Sequence, residues 1–438
     1  MSTFLKYSTN RLLITFSLIF CSSLLSLSQQ PTASDINHII KKQEEFLKYN
    51  PDFIKMKADR VARIRILQAK VREKEAAGYV TTCSRQILWE IGALITQTSD
   101  FKFIDKRFDD LDSSLVHPEK EIFAQTQDTL EGNWGKCFSE WFCKLNEFCD
   151  EIGRKENKNS PLKFQQHFLD QVNSPEKLTN YLMAISVSDI TKTGKDNLLE
   201  FNLAMSNLMR LILRDRPTGY PWDPKLKETL RDLVFNRFRN PETGWWGESY
   251  VRDGKIQFVD DLSATFHIVT YLKGDVTDLQ KVVSTTLAVK ELNYPVGWLW
   301  NGEYWNHNNM DVVALFKAGW TSANEDQKRA ISFEIQKMLN WCLSESLQPN
   351  GSFKPHIADG SLEESVYYGV SFLSRIGFFD KSDRFWTKQK FNDAESIRMK
   401  IIEYILKHKD TGGSGGSYYE SALTDYLNYK PSLKRDKN

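Results

Sequence analysis

Between residues 245 and 367 the chain gathers side chains able to move protons and to hold sugars. Asp260 and Asp261 are adjacent, His307, Asn308, Asn309 and Asp311 follow in one short run, and His356, Asp359, Glu363 and Tyr367 come next. Asp261 to Asp311 is 50 residues and Asp311 to Glu363 is 52, so acids recur at a steady interval. Two carboxyl groups flanking a glycosidic bond are the equipment of hydrolysis, one giving a proton and the other attacking or activating water. Asp260 or Asp261 paired with Asp311, Glu248 or Glu363 would serve. Eliminative cleavage would use His307, His356 or Tyr367 to move protons while Asn308 and Asn309 neutralise a uronate. Trp245, Trp246, Trp298, Trp300 and Trp305 lie among these groups, and indole faces suit stacking on sugar rings. Each group also has a plainer account. A carboxylate in a first helical turn satisfies free amides, worth about 0.5–2 kcal/mol. The amides and imidazoles then form a structural network, and the indoles plug gaps between helices.

Those residues need elements to position them, and the flanking pattern supplies a repeat. Leu226, Leu230, Leu233, Val234 and Phe238 form a helical stripe ending at Asn240-Pro241, before Gly244-Trp245-Trp246-Gly247. Leu279, Val282, Val283 and Leu287 lead similarly to Gly297-Trp298-Leu299-Trp300, and Ile331, Ile335, Met338 and Leu339 lead to Gly351-Ser352-Phe353. With Gly135, Gly194, Gly244, Gly297, Gly351 and Gly413 as nodes, the steps are 59, 50, 53, 54 and 62 residues. A period near 50 suits one helical hairpin with its loops. No single hairpin can bury its apolar face, so neighbours must pack side by side, and closing six into a ring removes the ends. The expected fold is all-α: an (α/α)6-like toroid of repeated helical hairpins over 81–438, with an N-terminal helical arm over 29–80. An open helical array of the same period is the alternative. Residues just after each glycine loop would converge on one mouth of the ring.

Trp341-Cys342-Leu343 followed by Gln348-Pro349-Asn350-Gly351-Ser352-Phe353 resembles the repeats of the terpenoid cyclase and protein prenyltransferase toroids, and Asn240 to Gly247 looks like a degenerate copy. The resemblance covers roughly residues 130 to 430 and implies the toroid fold. Phe258-Val259-Asp260-Asp261 is similar to the last positions of the cyclase aspartate-rich motif, with Phe where the first Asp belongs. The zinc-binding Asp-x-Cys of the prenyltransferases does not occur in the repeat region, so neither metal nor cofactor is expected. Gly351-Ser352-Phe353, His356 and Tyr367-Tyr368-Gly369 resemble a run in the hyaluronate and chondroitin lyases, which implies proton transfer by His356 and Tyr367.

Lys+Arg total 58 against Asp+Glu 57 in 438 residues, so no global field favours nucleic acid or an anionic membrane. Lys6 and Arg11, the uncharged run Leu12 to Leu27, and Ser26 and Ser28 before Gln29 read as a secretory signal peptide over 1–28. That predicts a secreted or periplasmic protein with no membrane attachment after cleavage, an uncleaved anchor being the alternative. Cleavage leaves Cys83, Cys137, Cys143, Cys149 and Cys342, an odd set, so at least one thiol stays outside any internal disulfide. The expected function is a secreted carbohydrate-active toroid enzyme, lyase or hydrolase, acting on a polysaccharide or oligosaccharide. A non-catalytic glycan- or peptide-binding toroid and a terpenoid cyclase-like protein are the alternatives.

Overall fold

A computed structural model describes residues 33–48, 53–117, 126–156, 162–213, 219–356, 362–408 and 415–429. The expected signal peptide, Asp359 and the node at Gly413 lie outside the described residues. The chain is mostly helical. In the order of the chain, Trp141–Glu156 packs on Leu198–Leu208, which packs on Leu262–Tyr271. Leu262–Tyr271 meets Asn306–Gly319, which meets Leu362–Arg375, which meets Gly415–Ser421. Each of these six is separated from the next by at least one further helix, and three such helices, Pro175–Ile185, Leu226–Asp232 and Leu279–Ala288, pack against members of the row or one another. One continuous apolar core runs between the two sets, from Phe142 and Leu145 to Ile401 and Ile405.

The repeat is visible as a recurring backbone turn. At Asp128 the N–H donates to Asn133 O while Gly132 N–H donates back to Asp128 O, and Asn240 bonds to Trp245 O while Gly244 bonds back to Asn240 O. Closely related turns sit at Asn293 to Leu299 and at Gln348 to Ser352. Gly132, Gly244 and Gly351 hold φ of 77, 74 and 89°, a region that suits glycine. A Cβ on Gly351 would also strike the Lys400 carbonyl. The first turn therefore centres on Gly132, where the sequence spacing pointed to Gly135. Gly194 belongs to a different device, a left-handed cap on Ile190–Thr193.

A small sheet accompanies the helices. Strands β1 (Val187–Ser188), β2 (Gly247–Arg252) and β3 (Lys255–Asp260) lie in the order β1-β2-β3, with β2 parallel to β1 and antiparallel to β3. The turn Asp253-Gly254 has φ of 52 and 72°, the paired left-handed geometry for which Asp-Gly is the usual hairpin signal. Gly247 faces Asp260 across this hairpin, so β2 begins where β3 ends and Glu248 is delivered beside the aspartates.

The N-terminal region is two structures. The Ala33–Leu47 helix buries Ile36 and Ile40 in the main core. Ala58–Ala76 instead shares a satellite core with Thr82–Gln97 and Phe101–Val116, through Leu67, Val71, Ile91 and Phe108. Cys83 and Cys137 form a disulfide that ties this satellite to the main body, while Cys143, Cys149 and Cys342 are free thiols, all buried.

Candidate functional site

The Leu262–Tyr271 helix opens on Asp261, whose Oδ1 accepts from Ala264 N–H and whose Oδ2 accepts from Tyr294 Oη at 3.4 Å. This is the N-cap that the plain account foresaw, yet Asp261 is also the hub of a carboxyl cluster. Burial raises the proton affinity of Glu248 and of Asp311, and the charge of Asp261 adds to both. Burial pushes Asp261 itself up to about 7. Glu248 takes Ser188 Oγ on one oxygen at 3.3 Å, and its proton affinity is raised by burial and by Asp196. Asp196 in turn accepts from Tyr250 Oη at 3.2 Å.

Asp311 stands one turn beyond His307 on the Asn306–Gly319 helix, 4.0 Å from its Nδ1. Neither Asp311 oxygen has a hydrogen-bond partner among the described residues, and burial holds the group well above the ordinary carboxylate range, opposed by Arg375. Asn309 is equally buried with both side-chain polar atoms unpartnered, as are Trp298 Nε1 and Asn306 Oδ1. Six of the twelve such orphaned atoms among the described residues therefore fall between Trp298 and Asp311, and a seventh is Glu248 Oε2. Orphaned buried groups cost about 1–3 kcal/mol each, so their concentration along this stretch singles it out.

His307 and His267 are neutral near pH 7. Burial lowers His307 to about 4 and His267 to about 3, and His267 Nδ1 lies 2.9 Å from Asn202 Oδ1 with Tyr271 stacked on its ring. Beside His307 is an aromatic box. Trp305 stacks on His356 at 4.8 Å, Trp300 meets both edge-on, and Tyr368 stands 4.5 Å from His307. Trp305, His356 and Tyr368 line, with Glu303, Tyr304 and Trp341, a recess of about 60 Å³, far below the ~300–1,000 Å³ of a ligand pocket.

Asp261, His307, Asp311 and His356 are thus brought together. Other expected residues serve elsewhere. Asp260 is saturated by Gln43, Asn240 and Thr243, so it is an anchor and not a member of the site. Trp245, Trp246 and Trp298 are completely buried. Trp245 and Trp246 donate to the carbonyls of Val282 and Val234, so they are wedges between helices with no face for a sugar. Asn308 donates to Trp298 O, a structural tie. Glu363 acts on Tyr404 and Tyr419 and stands apart from the other acids. Tyr367 Oη pairs with Tyr426 Oη at 3.3 Å, and it is Tyr368 that flanks the histidines. The even spacing of acids also dissolves. Asp261 is an N-cap, Asp311 the sixth residue of its helix counting Asn306 as first, and Glu363 the second counting Leu362 as first. Sequence reasoning missed Asp196, Tyr294 and Arg375. Arg375 looked like an ordinary basic residue closing a helix.

Among the described residues no group of three or more histidine, cysteine and acidic side chains is placed to hold a metal, and no helix is long and apolar enough to cross a membrane. No family model, no curated protein and no solved structure matches the chain.

Proposed function

We propose that this chain is an exported, carbohydrate-active enzyme that hydrolyses glycosidic bonds at Asp311 and Asp261, on an (α/α)6-like toroid. The observation that carries the reading is Asp311: a buried carboxyl group with no hydrogen-bond partner among the described residues, 4.0 Å from the neutral His307 and within the electrostatic reach of a second carboxyl group, Asp261. A group held protonated in that way is suited to general acid catalysis. Asp311 gives its proton to the glycosidic oxygen as the bond to the anomeric carbon breaks. Asp261, ionised on the alkaline side of about 7, takes a proton from water as the water oxygen bonds to that carbon. Asn309 is placed to meet a sugar hydroxyl, and Trp300 and Trp305 offer an indole surface alongside. The carboxyl groups favour hydrolysis over elimination, for which His356 and Tyr367 would need to meet.

Ring closure has a specific support. The proton affinity of the Tyr418 hydroxyl, in the last helix of the row, is raised by Glu364, by burial and then by Asp150 of the first helix. The Cys83–Cys137 disulfide suits an oxidising compartment. Incubation with a panel of neutral and uronate-bearing polysaccharides tests the activity. Reducing ends are expected without ultraviolet absorbance from an unsaturated product, and they should be lost in Asp311→Asn. Silence across the panel, or unsaturated products, would overturn the hydrolytic reading.

A further inference from the structure

The recess of about 60 Å³ shares Trp305 with the acid cluster: that indole stands 4.6 Å from His307, whose Nδ1 is 4.0 Å from Asp311. Tyr304, Trp341 and Tyr368 complete its aromatic lining, and Asn306 and Ser346 belong to its buried polar lining. Asn306, the first residue of its helix, has only half of its amide in use. Nδ2 donates to Ser346 Oγ at 2.8 Å, whereas Oδ1 has no hydrogen-bond partner among the described residues. That bond takes an acceptor position of the Ser346 hydroxyl and leaves its own proton to be given. A buried amide oxygen gives up its hydrogen bonds to water at a cost unless something donates to it. The carboxylate and the ammonium of the lining, Glu303 and Lys354, are exposed and opposite in sign, so the recess does not select a charged group. One water takes about 10–15 Å³ of such space. The recess therefore admits a few heavy atoms and not a ring.

We infer that this recess takes the exocyclic hydroxymethyl of a neutral hexose, so that hexopyranose units, not pentopyranose units, are recognised beside Asp311. The inference rests on the hydrolytic reading. The CH2 meets the aromatic rings, and the hydroxyl gives its proton to Asn306 Oδ1 while accepting one from Ser346. The pyranose ring then lies outward on the half-buried Tyr304 and Trp341, whose centroids are 5.8 Å apart. A single hydroxyl both donates and accepts, so it answers both lining groups at once. A carboxylate at the same carbon only accepts, and it would leave Oδ1 unmet.

Titration of the wild-type protein, followed by ligand-observed NMR, tests this. The sugars are glucose and galactose, their pentose counterparts xylose and arabinose, which lack the hydroxymethyl, and the 6-deoxy forms, which keep only its carbon. N-acetylglucosamine and glucuronate complete the set. One of the two hexoses is expected to bind about ten- to a hundredfold more tightly than its pentose. Its 6-deoxy form should bind about two- to tenfold less tightly than the hexose itself. Asn306→Ala should bring the hexose down to the affinity of its 6-deoxy form. Ser346→Ala, a loss of one atom that guards against a merely misfolded variant, should do part of the same. Pentose bound as tightly as hexose, a 6-deoxy form equal to its parent, tighter binding of N-acetylglucosamine or glucuronate than of either hexose, or a hexose preference untouched in both variants would overturn the inference. Reducing ends released equally from hexose and pentose polysaccharides would leave hydrolysis standing and remove only the role of the recess. Absence of any sugar binding or reducing ends would remove both.

Discussion

Gln43 grips Asp260 from both sides: its Nε2 donates to Oδ2 at 2.7 Å, and its Oε1 accepts from the Asp260 N–H at 2.8 Å. The two residues are 217 positions apart. This contact fastens the Ala33–Leu47 helix to the end of β3, next to Asp261. Arg252 adds a second clasp, donating to Phe46 O at 2.6 Å and covering its ring. Gln43→Ala removes both bonds and leaves the buried Asp260 N–H without a partner, while Asn240 and Thr243 still hold the carboxylate, so a loss of about 1–3 kcal/mol in unfolding free energy is expected. Urea denaturation measures it, and an unchanged midpoint would show that the helix is not held there.

Several buried acids titrate far from their ordinary values, and the sign of the effect on stability follows. Asp261 sits at about 7 and Asp260 at about 6 in the folded protein, and Glu248 and Asp311 are also raised, against ordinary values near 4. The folded state therefore holds more protons than the unfolded chain, and stability falls as pH rises through that window. His267 and His307 act oppositely, but only below their ordinary 6.5, because above it they are neutral in both states. Stability should thus decline between pH 6.5 and 8, on the order of 1 kcal/mol per pH unit for each acid still titrating. Asp311→Asn and Glu248→Gln should each flatten the decline. A wild-type midpoint that rises over this range is the contrary result.

On the proposed hydrolytic mechanism the same groups should shape the rate. With Asp261 as base, activity should increase as pH passes up through about 7. Asp311→Asn should lower kcat by about 10²–10⁴-fold, the usual worth of a positioned proton donor. Glu363→Gln, beside Tyr404 and Tyr419 instead, should leave kcat near the wild-type value. Reducing-end assays on purified variants separate the two, and equal losses would deny Asp311 its special role.

The tryptophans divide by burial, and so should their variants. Trp298→Ala empties a site packed against Phe316 and should cost about 3–5 kcal/mol of stability. Trp305→Ala opens the aromatic box beside His356 and should weaken sugar affinity several-fold while disturbing stability less. Parallel melting and binding curves test the contrast, and equal destabilisation by both would erase it.

The repeat was legible in the sequence because the glycine turns and the apolar stripes are local signals. Gly244 and Gly351 fall where the period required. Convergence of Asp261, His307, Asp311 and His356 was legible too, since each follows such a turn. What escaped was non-local. The β2–β3 hairpin hid behind a helical expectation although Asp253-Gly254 announced it, and with the hairpin went the approach of Glu248. Whether an indole is wedge or platform depends on the neighbour it meets, which spacing along the chain does not encode, so Trp245 and Trp300 looked alike. Asp260 and Asp261 are adjacent in sequence and opposite in role because one faces Gln43 and the other Tyr294.

Counting each helix from its first residue, His267, Asp311 and Tyr367 all occupy the sixth place, on Leu262–Tyr271, Asn306–Gly319 and Leu362–Arg375. The row of helices thus provides interchangeable seats around a common interior, and an imidazole, a carboxyl and a phenol have each taken one. Chemistry in such a frame belongs to the seating plan. Exchanging His267 and Asp311 would move the proposed proton donor from one helix of the row to the helix packed beside it, on the same seat.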